Sequence, residues 1–258
     1  MRGVHRLNKW KVVCFEAFQV LPEAIGFILL RNSKNFFILN LTSKYDIKNY
    51  YTQFGSYKDY DEYLDIQRIK TKRRLKISFE ESKSTLWTNT HELKAISKIL
   101  KRYLRASDLS GLCMGSRGGE EVALFNKYLS KRSRVVGVEL EPSAKSCSNT
   151  IIADFHYPPR KLFGKFDFVY SNSHDQAFNP KLALTAWIKC LKVDGILVLE
   201  HSRAHGKKSA NRQDPFGVET EILPYLILHW FPNQIKLILI KKAHFNEPGH
   251  EIFFFQKV

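Results

Sequence analysis

Cysteine is scarce in this chain of 258 residues: Cys14, Cys113, Cys147 and Cys190 stand far apart and no C-x-x-C pair occurs. That spacing argues against a disulfide framework and against a thiolate zinc site, and the sequence offers no legible set of metal ligands. Cys113 lies within an apolar run and reads as a small core residue. Long apolar runs are missing as well. The nearest, "ILPYLILHWFPNQIKLILI" at 222–240, is interrupted by His229 and by "PNQ", so no membrane span is expected. The start, "MRGVHRLNKWKVVCF", lacks the apolar length and small-residue cleavage pattern of a signal peptide, and a cytoplasmic protein is the expectation. Acidic residues are also few, 25 Asp and Glu against 41 Lys and Arg, which leaves a formal net charge of +16. Residues 1–100 carry 18 basic against 10 acidic side chains and residues 101–258 carry 23 against 15, so the excess is no detachable tail. Such a field suits nucleic acid, an acidic lipid surface, or phosphorylated and carboxylated small molecules, and it equally serves plain solubility. Internal repeats and low-complexity segments are absent.

What is present is enough apolar side chain, 44% of residues, for a sizeable core. Two regions differ in grammar, and the expected division is an N-terminal basic extension over 1–89 and an α/β domain over 90–258. In the first, "AIGFILLRNSKNFFILNLTS" (24–43) reads as a hairpin with its turn at "RNSKN". The second half of "YYTQFGSYKDYDEYLDIQRIKTKRRLKISFEES" (50–82) reads as a helix opened near Ser56 or Asp59 that exposes "RIKTKRRLK". In the second region, "THELKAISKILKRYL" (90–104) has Thr90 as a candidate N-cap and Leu93, Ile96, Ile99, Leu100 and Leu104 at helical spacing. Short apolar runs then alternate with helical patterns. "LSGLCM", "SRVVGVEL", "NTIIAD", "KFDFVYSN" and "DGILVLEH" read as strands, with helices at "GEEVALFNKYLS", "PSAKSCS" and "PKLALTAWIKCLK" between them. "VETEILPYLILHWF" follows as a helix, and "QIKLILIKKA" and "HEIFFFQKV" close the chain. Near-continuous apolar strands imply burial on both faces, hence a mostly parallel sheet covered by helices. The last two strands are joined by too few residues for a crossover and must form an antiparallel hairpin. The expected fold is α/β, a doubly wound, mostly parallel, seven-stranded sheet ending in that hairpin.

Ligands of such sheets bind beyond the carboxyl ends of the strands, near the switch in strand order. Three strand ends carry suitable residues. "LSGLCM" runs into "GSRGGEE", where Gly115, Ser116, Arg117, Gly118 and Gly119 form a turn that lets a ligand approach the backbone. A helix N-terminus follows, with Glu120 and Glu121 in its first turn. "VVGVELEP" ends in Glu139, about twenty residues on, where a carboxylate meets the hydroxyls of an adenosine ribose. "IIADFHYPP" ends in Asp154 and Phe155, an acceptor and a ring suited to the amine and face of an adenine. Each also has a plain structural reading, as a turn, a solvated carboxylate and a cap.

Together these motifs resemble the class I S-adenosylmethionine-dependent methyltransferases over about residues 107–202. "LCMGSRGG" stands for the glycine-rich first motif, "GVELEP" for the acidic second-strand motif, and "ADF", "FDFVYSNS" and "LKVDGILVLEHS" for those after. The closing hairpin is similar to the reversed strand that separates this family from nicotinamide-binding Rossmann proteins. "FGSYKDYDEYLDIQ" (54–67) resembles a segment preceding the domain in certain bacterial and plant methyltransferase-like proteins, some near surface-polysaccharide genes. The resemblance implies S-adenosylmethionine as cofactor, with residues 115–119 under its methionine part, Glu139 on the ribose and Asp154 on the adenine. It sets Ser171 and Asn172 at the fourth strand's end, facing the sulfonium and the substrate. Two positions depart from the pattern. Cys113 stands where the family has an acidic residue, and Arg117 where it has glycine. Arg117 can reach the cofactor carboxylate or block the pocket.

Methyl transfer needs a base only if the acceptor must lose a proton, and His174 with Asp175 in "SNSHDQAF" are the candidates; the same residues can simply cap the next helix. His201, His205, Lys207, Lys208 and Arg212 can form a basic wall above the pocket or a solvated loop. "SNSH" stands where many base-modifying methyltransferases carry N-P-P-Y, which favours a small acceptor, anionic or sugar-type. RNA is the alternative, through the basic stretch Arg68 to Lys76 with its neighbouring tyrosines. Two other readings stay open: a non-catalytic methyltransferase-like module that binds RNA or protein, and a nicotinamide-dependent oxidoreductase, against which the lack of a regular G-x-G-x-x-G speaks.

Overall fold

The structure, a computed structural model, describes residues 27–31, 36–40, 50–81, 83–84, 86–243 and 249–258. Two compact units divide between Asn49 and Tyr50. In the first, β1 (Phe27–Arg31) and β2 (Phe36–Asn40) pair antiparallel, with Arg31 opposite Phe36. This is the hairpin read from the sequence; most of its "RNSKN" turn lies outside the described residues.

The second unit takes in residues 50–89, which sequence grammar had grouped with the extension. It opens with β3 (Tyr51–Gln53) and α1 (Tyr60–Glu80). Asp59 caps α1, its Oδ1 accepting the Glu62 N–H at 2.9 Å. The buried positions of α1 are Tyr63, Gln67, Thr71 and Leu75, a fourfold spacing with polar members. Because that stripe is not apolar, hydropathy gave no sign that this helix docks. Then comes α2 (Thr90–Leu104), capped by Asn89 rather than Thr90: the Asn89 Oδ1 accepts the Glu92 N–H at 2.9 Å. Leu93, Ile96 and Leu100 of α2 are fully buried, each worth about 2 kcal/mol of apolar burial.

The remaining elements alternate as expected: β4 (Ser110–Met114), α3 (Glu120–Tyr128), β5 (Arg134–Glu139), β6 (Thr150–Ile152), β7 (Phe166–Ser171), α4 (Pro180–Cys190) and β8 (Leu191–His201). "PSAKS" is a 3-10 turn between β5 and β6. The helix expected from Val218 begins only at Leu223. Phe216–Val218 instead form β9, which pairs antiparallel with β3, and α5 spans Leu223–Trp230. Pro224 is tolerated in its first turn because the N–H there has no helical partner anyway. Finally β10 (Ile235–Lys242) and β11 (Glu251–Lys257) form the antiparallel pair.

The seven-stranded sheet has the order β10-β11-β8-β7-β4-β5-β6. Strands β8, β7, β4, β5 and β6 run parallel, and β11 is reversed against both β8 and β10. Strand order switches direction between β4 and β7. One face buries Phe168, Tyr170, Ile196, Val198, Ile252 and Phe254 under α2 and α3. The alternate residues Val169, Leu197, Leu199, Phe253 and Phe255 are buried as well, and the pleat points them to the opposite face. Among the described residues no helix is long and apolar enough to cross a membrane.

Candidate active site

Directly beyond β4, Gly115 adopts φ +74, a left-handed conformation that side chains resist. A Cβ there would also meet the Ser173 Cβ at 2.8 Å, so the turn packs tightly on the end of β7. The N–H groups of Gly115 and Ser116 both donate to the Val138 carbonyl of β5, at 3.0 and 3.1 Å. Ser116 turns its side chain inward, over Gly137: a Cβ on Gly137 would fall 2.2 Å from the Ser116 Oγ. The Ser116 side chain thus packs on Gly137, and its Oγ is buried without a hydrogen-bond partner. Arg117 sits at φ 49, a conformation costing a non-glycine residue about 1 kcal/mol, where the resembled family has glycine. A Cβ on Gly118 would touch Leu75 of α1 at 3.6 Å, so α1 covers the turn. Gly119, at φ +74, precedes the first residue of α3, and Glu120 and Glu121 occupy the first helical turn.

Glu139 ends β5 with its carboxylate aimed at this turn. Its Oε2 accepts the Arg117 N–H at 2.7 Å, and its Oε1 accepts those of Leu140 and Glu141 at 2.8 and 3.3 Å. Burial pushes the Glu139 carboxyl up, and the backbone N–H groups of Arg117, Glu141 and Leu140 counter part of that rise. A carboxylate offers about four lone-pair directions, so one on Oε2 is left for a further donor.

Asp154 follows β6. Its Oδ2 accepts the Tyr60 hydroxyl at 2.5 Å, and its Oδ1 accepts the His156 backbone N–H at 2.8 Å and lies 2.8 Å from His156 Nδ1. Burial opposes its ionisation, yet the hydrogen bonds from His156 and Tyr60 outweigh it and hold its carboxyl below the ordinary range. Phe155 stands beside it, edge-on to Trp187 with ring centroids 5.4 Å apart, and its carbonyl accepts the Trp187 indole N–H at 3.0 Å. Tyr60 and His156 were not singled out in the sequence. Tyr60 reaches Asp154 only because α1 docks across the strand ends. A cavity of about 380 Å³ adjoins this cluster, lined by His156, Tyr157 and Phe163 with the basic Arg160 and Lys189 at its rim.

At the end of β7, the Ser171 Oγ donates to the Met114 carbonyl at 3.0 Å, stitching β7 to β4. Asn172 is buried, its Nδ2 donating to Glu121 Oε1 at 3.4 Å. Burial pushes the Glu121 carboxyl from 4.5 up to about 7, against the opposing Arg117 charge and the Asn172 hydrogen bond. An unfolded chain loses this proton near the ordinary value, so the Glu121 contribution to stability declines as pH rises from about 4.5 through 7. At roughly 1.4 kcal/mol per pKa unit, the decline amounts to at most about 3.5 kcal/mol. Denaturant unfolding at pH 5 and pH 8 should show Glu121→Gln losing less stability than the parent over that interval; an identical loss would remove Glu121 as its source.

His174 and Asp175 lie in a 3-10 turn after β7 and are both buried. They do not pair with each other. His174 Nε2 is 2.8 Å from His201 Nδ1, and Asp175 Oδ2 is 3.7 Å from His205 Nε2. His201 and His205 therefore form no part of a basic wall. His201 is fully buried, with its pKa lowered well below the usual value by burial and the neighbouring imidazoles, and burial lowers that of His205 to about 3. Arg212 of the same loop pairs with Glu62 of α1. The sequence does carry a trace of the cluster: His201 and His205 have the H-x3-H spacing common in metal sites. Their partner His174 is distant in sequence and is brought in only by the parallel β7–β8 pairing. In the basic stretch of α1, Lys72, Arg73, Arg74 and Lys76 are exposed, while Arg68 pairs with Asp65 and Lys70 with Asp214.

No family model and no curated protein sequence matches this chain. Solved structures do resemble it. A Burkholderia thailandensis 1,6-didemethyltoxoflavin-N1-methyltransferase, with bound 1,6-didemethyltoxoflavin and S-adenosylhomocysteine, superposes with a TM-score of 0.58 at 17% identity, covering 80% of this chain and 94% of that one. The plantazolicin methyltransferase BpumL, in complex with a triazolic desmethylPZN analog and SAH, gives 0.55 at 12% identity over 76% and 97% of the two chains. The fold is that of class I methyltransferases. The CurJ carbon methyltransferase agrees, at 0.52 and 10% identity over 72% of this chain and 61% of that one. In the class I methyltransferase fold, β11 is the reversed strand and the β4/β7 switch point is the ligand edge, which is where the glycine turn, Glu139, Asp154 and Ser171 gather.

Proposed function

We propose that this chain is an S-adenosylmethionine-dependent methyltransferase acting on a small acceptor, anionic or sugar-type. The observation that carries the reading is the hydrogen bond between Arg117 N–H and Glu139 Oε2, which sets the glycine turn and the acidic strand end side by side with one acceptor direction remaining. The residues fit the cofactor in kind. Backbone groups of residues 115–119 would lie under its methionine part, with Arg117 near the carboxylate, and Glu139 would accept from the ribose. Asp154 and Phe155 would take the adenine amine and face, and Ser171 and Asn172 would border the reacting end. When bound, the cofactor supplies an activated methyl group, and the protein contributes orientation and exclusion of water. An imidazole buried and held well below its usual pKa is a poor proton acceptor, so the reading assigns no proton transfer to His174. The Burkholderia structure, which holds S-adenosylhomocysteine together with 1,6-didemethyltoxoflavin, supports a small-molecule acceptor.

A second reading has its own observation. Tyr60 already engages Asp154, and Leu75 covers Gly118, as expected of a methyltransferase-like module that binds RNA or protein instead. A thermal-shift comparison separates them. S-adenosylhomocysteine at a hundredfold excess over its Kd should stabilise the chain by about 2.7 kcal/mol, or roughly 5–10 °C, while NAD does nothing. Glu139→Ala should abolish the shift. No response to S-adenosylhomocysteine from the folded wild-type chain would overturn the enzymatic reading.

A further inference from the structure

Three histidines meet in the interior beyond the ends of β7 and β8. His174, His201 and His205 are all buried, and one ligand nitrogen from each lies within 4.8 Å of the others. Ring centroids of the three are 5.1 to 5.3 Å apart. Their neighbours fix their protons. Val218 O, 3.0 Å from His201 Nε2, can only accept, so His201 carries its proton there and presents a bare Nδ1 inward. His174 donates to that Nδ1 from its Nε2 at 2.8 Å, which leaves His174 Nδ1 as a bare lone pair, buried and without a hydrogen-bond partner. Asp175 adds a carboxylate whose Oδ2 is 3.7 Å from His205 Nε2 and whose Oδ1 is buried and also lacks a partner.

Three buried imidazoles whose nitrogens converge this closely have the geometry of a metal centre. We propose that His174, His201 and His205 form a three-imidazole site for a divalent transition-metal ion of the zinc class, with the Asp175 carboxylate beside His205. Neutral imidazoles are donors such an ion prefers, and three of them leave a fourth tetrahedral position for water. The Val218 carbonyl is the outer partner that orients His201. Two adjustments accompany binding. His174 moves its proton from Nε2 to Nδ1, which has no hydrogen bond to lose. His205 gives up the bond its Nδ1 accepts from the Ser202 N–H at 3.1 Å if it ligates through Nε2. One backbone hydrogen bond is a small loss beside a set of metal–ligand bonds. Because the cluster is sealed, the ion enters as the chain folds and ties the ends of β7 and β8 to β9.

The site is independent of methyl transfer, and its test needs neither cofactor nor acceptor. Full-length protein purified without chelator should carry about one zinc per chain by elemental mass spectrometry. Refolding with Co²⁺ should give the intense visible bands of a tetrahedral centre, with no near-ultraviolet thiolate charge-transfer band. His205→Gln and His174→Ala should lose the metal and the bands, and Cys147→Ser should keep both. Where a histidine variant does not fold, the wild-type chain decides. Less than about 0.1 metal per chain, with no cobalt spectrum from correctly refolded protein, overturns the site. A thiolate band overturns it equally, because the ion would then sit on cysteine.

Discussion

Gly137→Ala is expected to cost about 2–3 kcal/mol of stability and to abolish the thermal response to S-adenosylhomocysteine. Gly137 is in the middle of β5, not in the glycine turn, yet the turn rests on it. The new methyl would lie 2.2 Å from Ser116 Oγ and 2.7 Å from Ser116 Cβ, both in the loop under the proposed cofactor. The clash cannot be relieved by rotating the serine side chain, because its Cβ is already too close. The loop backbone has to lift, pulling Arg117 N–H from Glu139. Combining the change with Ser116→Gly should restore most of both losses, whereas Ser116→Ala should not, since it keeps the offending Cβ. Urea unfolding and ligand-dependent melting of the single and double variants make a direct cycle. Simple additivity of Gly137→Ala and Ser116→Gly would show that the two residues do not meet as described.

Glu200→Ala should destabilise the domain by about 4 kcal/mol, with Glu200→Gln costing clearly less. Glu200 is fully buried near the end of β8. Its Oε1 accepts the Thr88 hydroxyl at 2.6 Å and faces His250 Nε2 at 2.9 Å, and its Oε2 accepts the Tyr170 hydroxyl at 2.6 Å. One carboxylate thus joins the segment before α2, the strand β7 and the approach to β11. Alanine strands three buried donors, each costing about 1–3 kcal/mol, while the glutamine oxygen still accepts. Denaturant midpoints for the two variants test the ranking. An alanine variant within about 1 kcal/mol of wild type would mean that water satisfies these donors.

Much of this architecture was legible before any coordinates. The strands of the sheet announced themselves by apolar runs too short for helices, and α2 by apolar residues at helical spacing. The short link between β10 and β11 forced them antiparallel. Local geometry also explains the misplaced boundaries. Val218 looked like the start of a helix, but pairing with β3 holds it in a strand, a partner more than a hundred and fifty residues away. Asn89 displaced Thr90 as cap of α2, a shift of one position between two residues able to serve.

The candidate site divides in the same way. Gly115, Glu139 and Asp154 could be picked from the sequence because a doubly wound sheet delivers the residue after each parallel strand to one edge. That rule depends only on element order. The sequence by itself determined the sheet, its reversed strand and the row of residues along its ligand edge, since backbone periodicity is written locally. Only the tertiary structure decided that α1 lies over that edge, that Tyr60 bonds Asp154, that Ser116 nests on Gly137 and that the distant His174 joins His201 and His205. Those contacts arise from how finished elements pack, and no spacing along the chain encodes the distance between two surfaces brought together by folding.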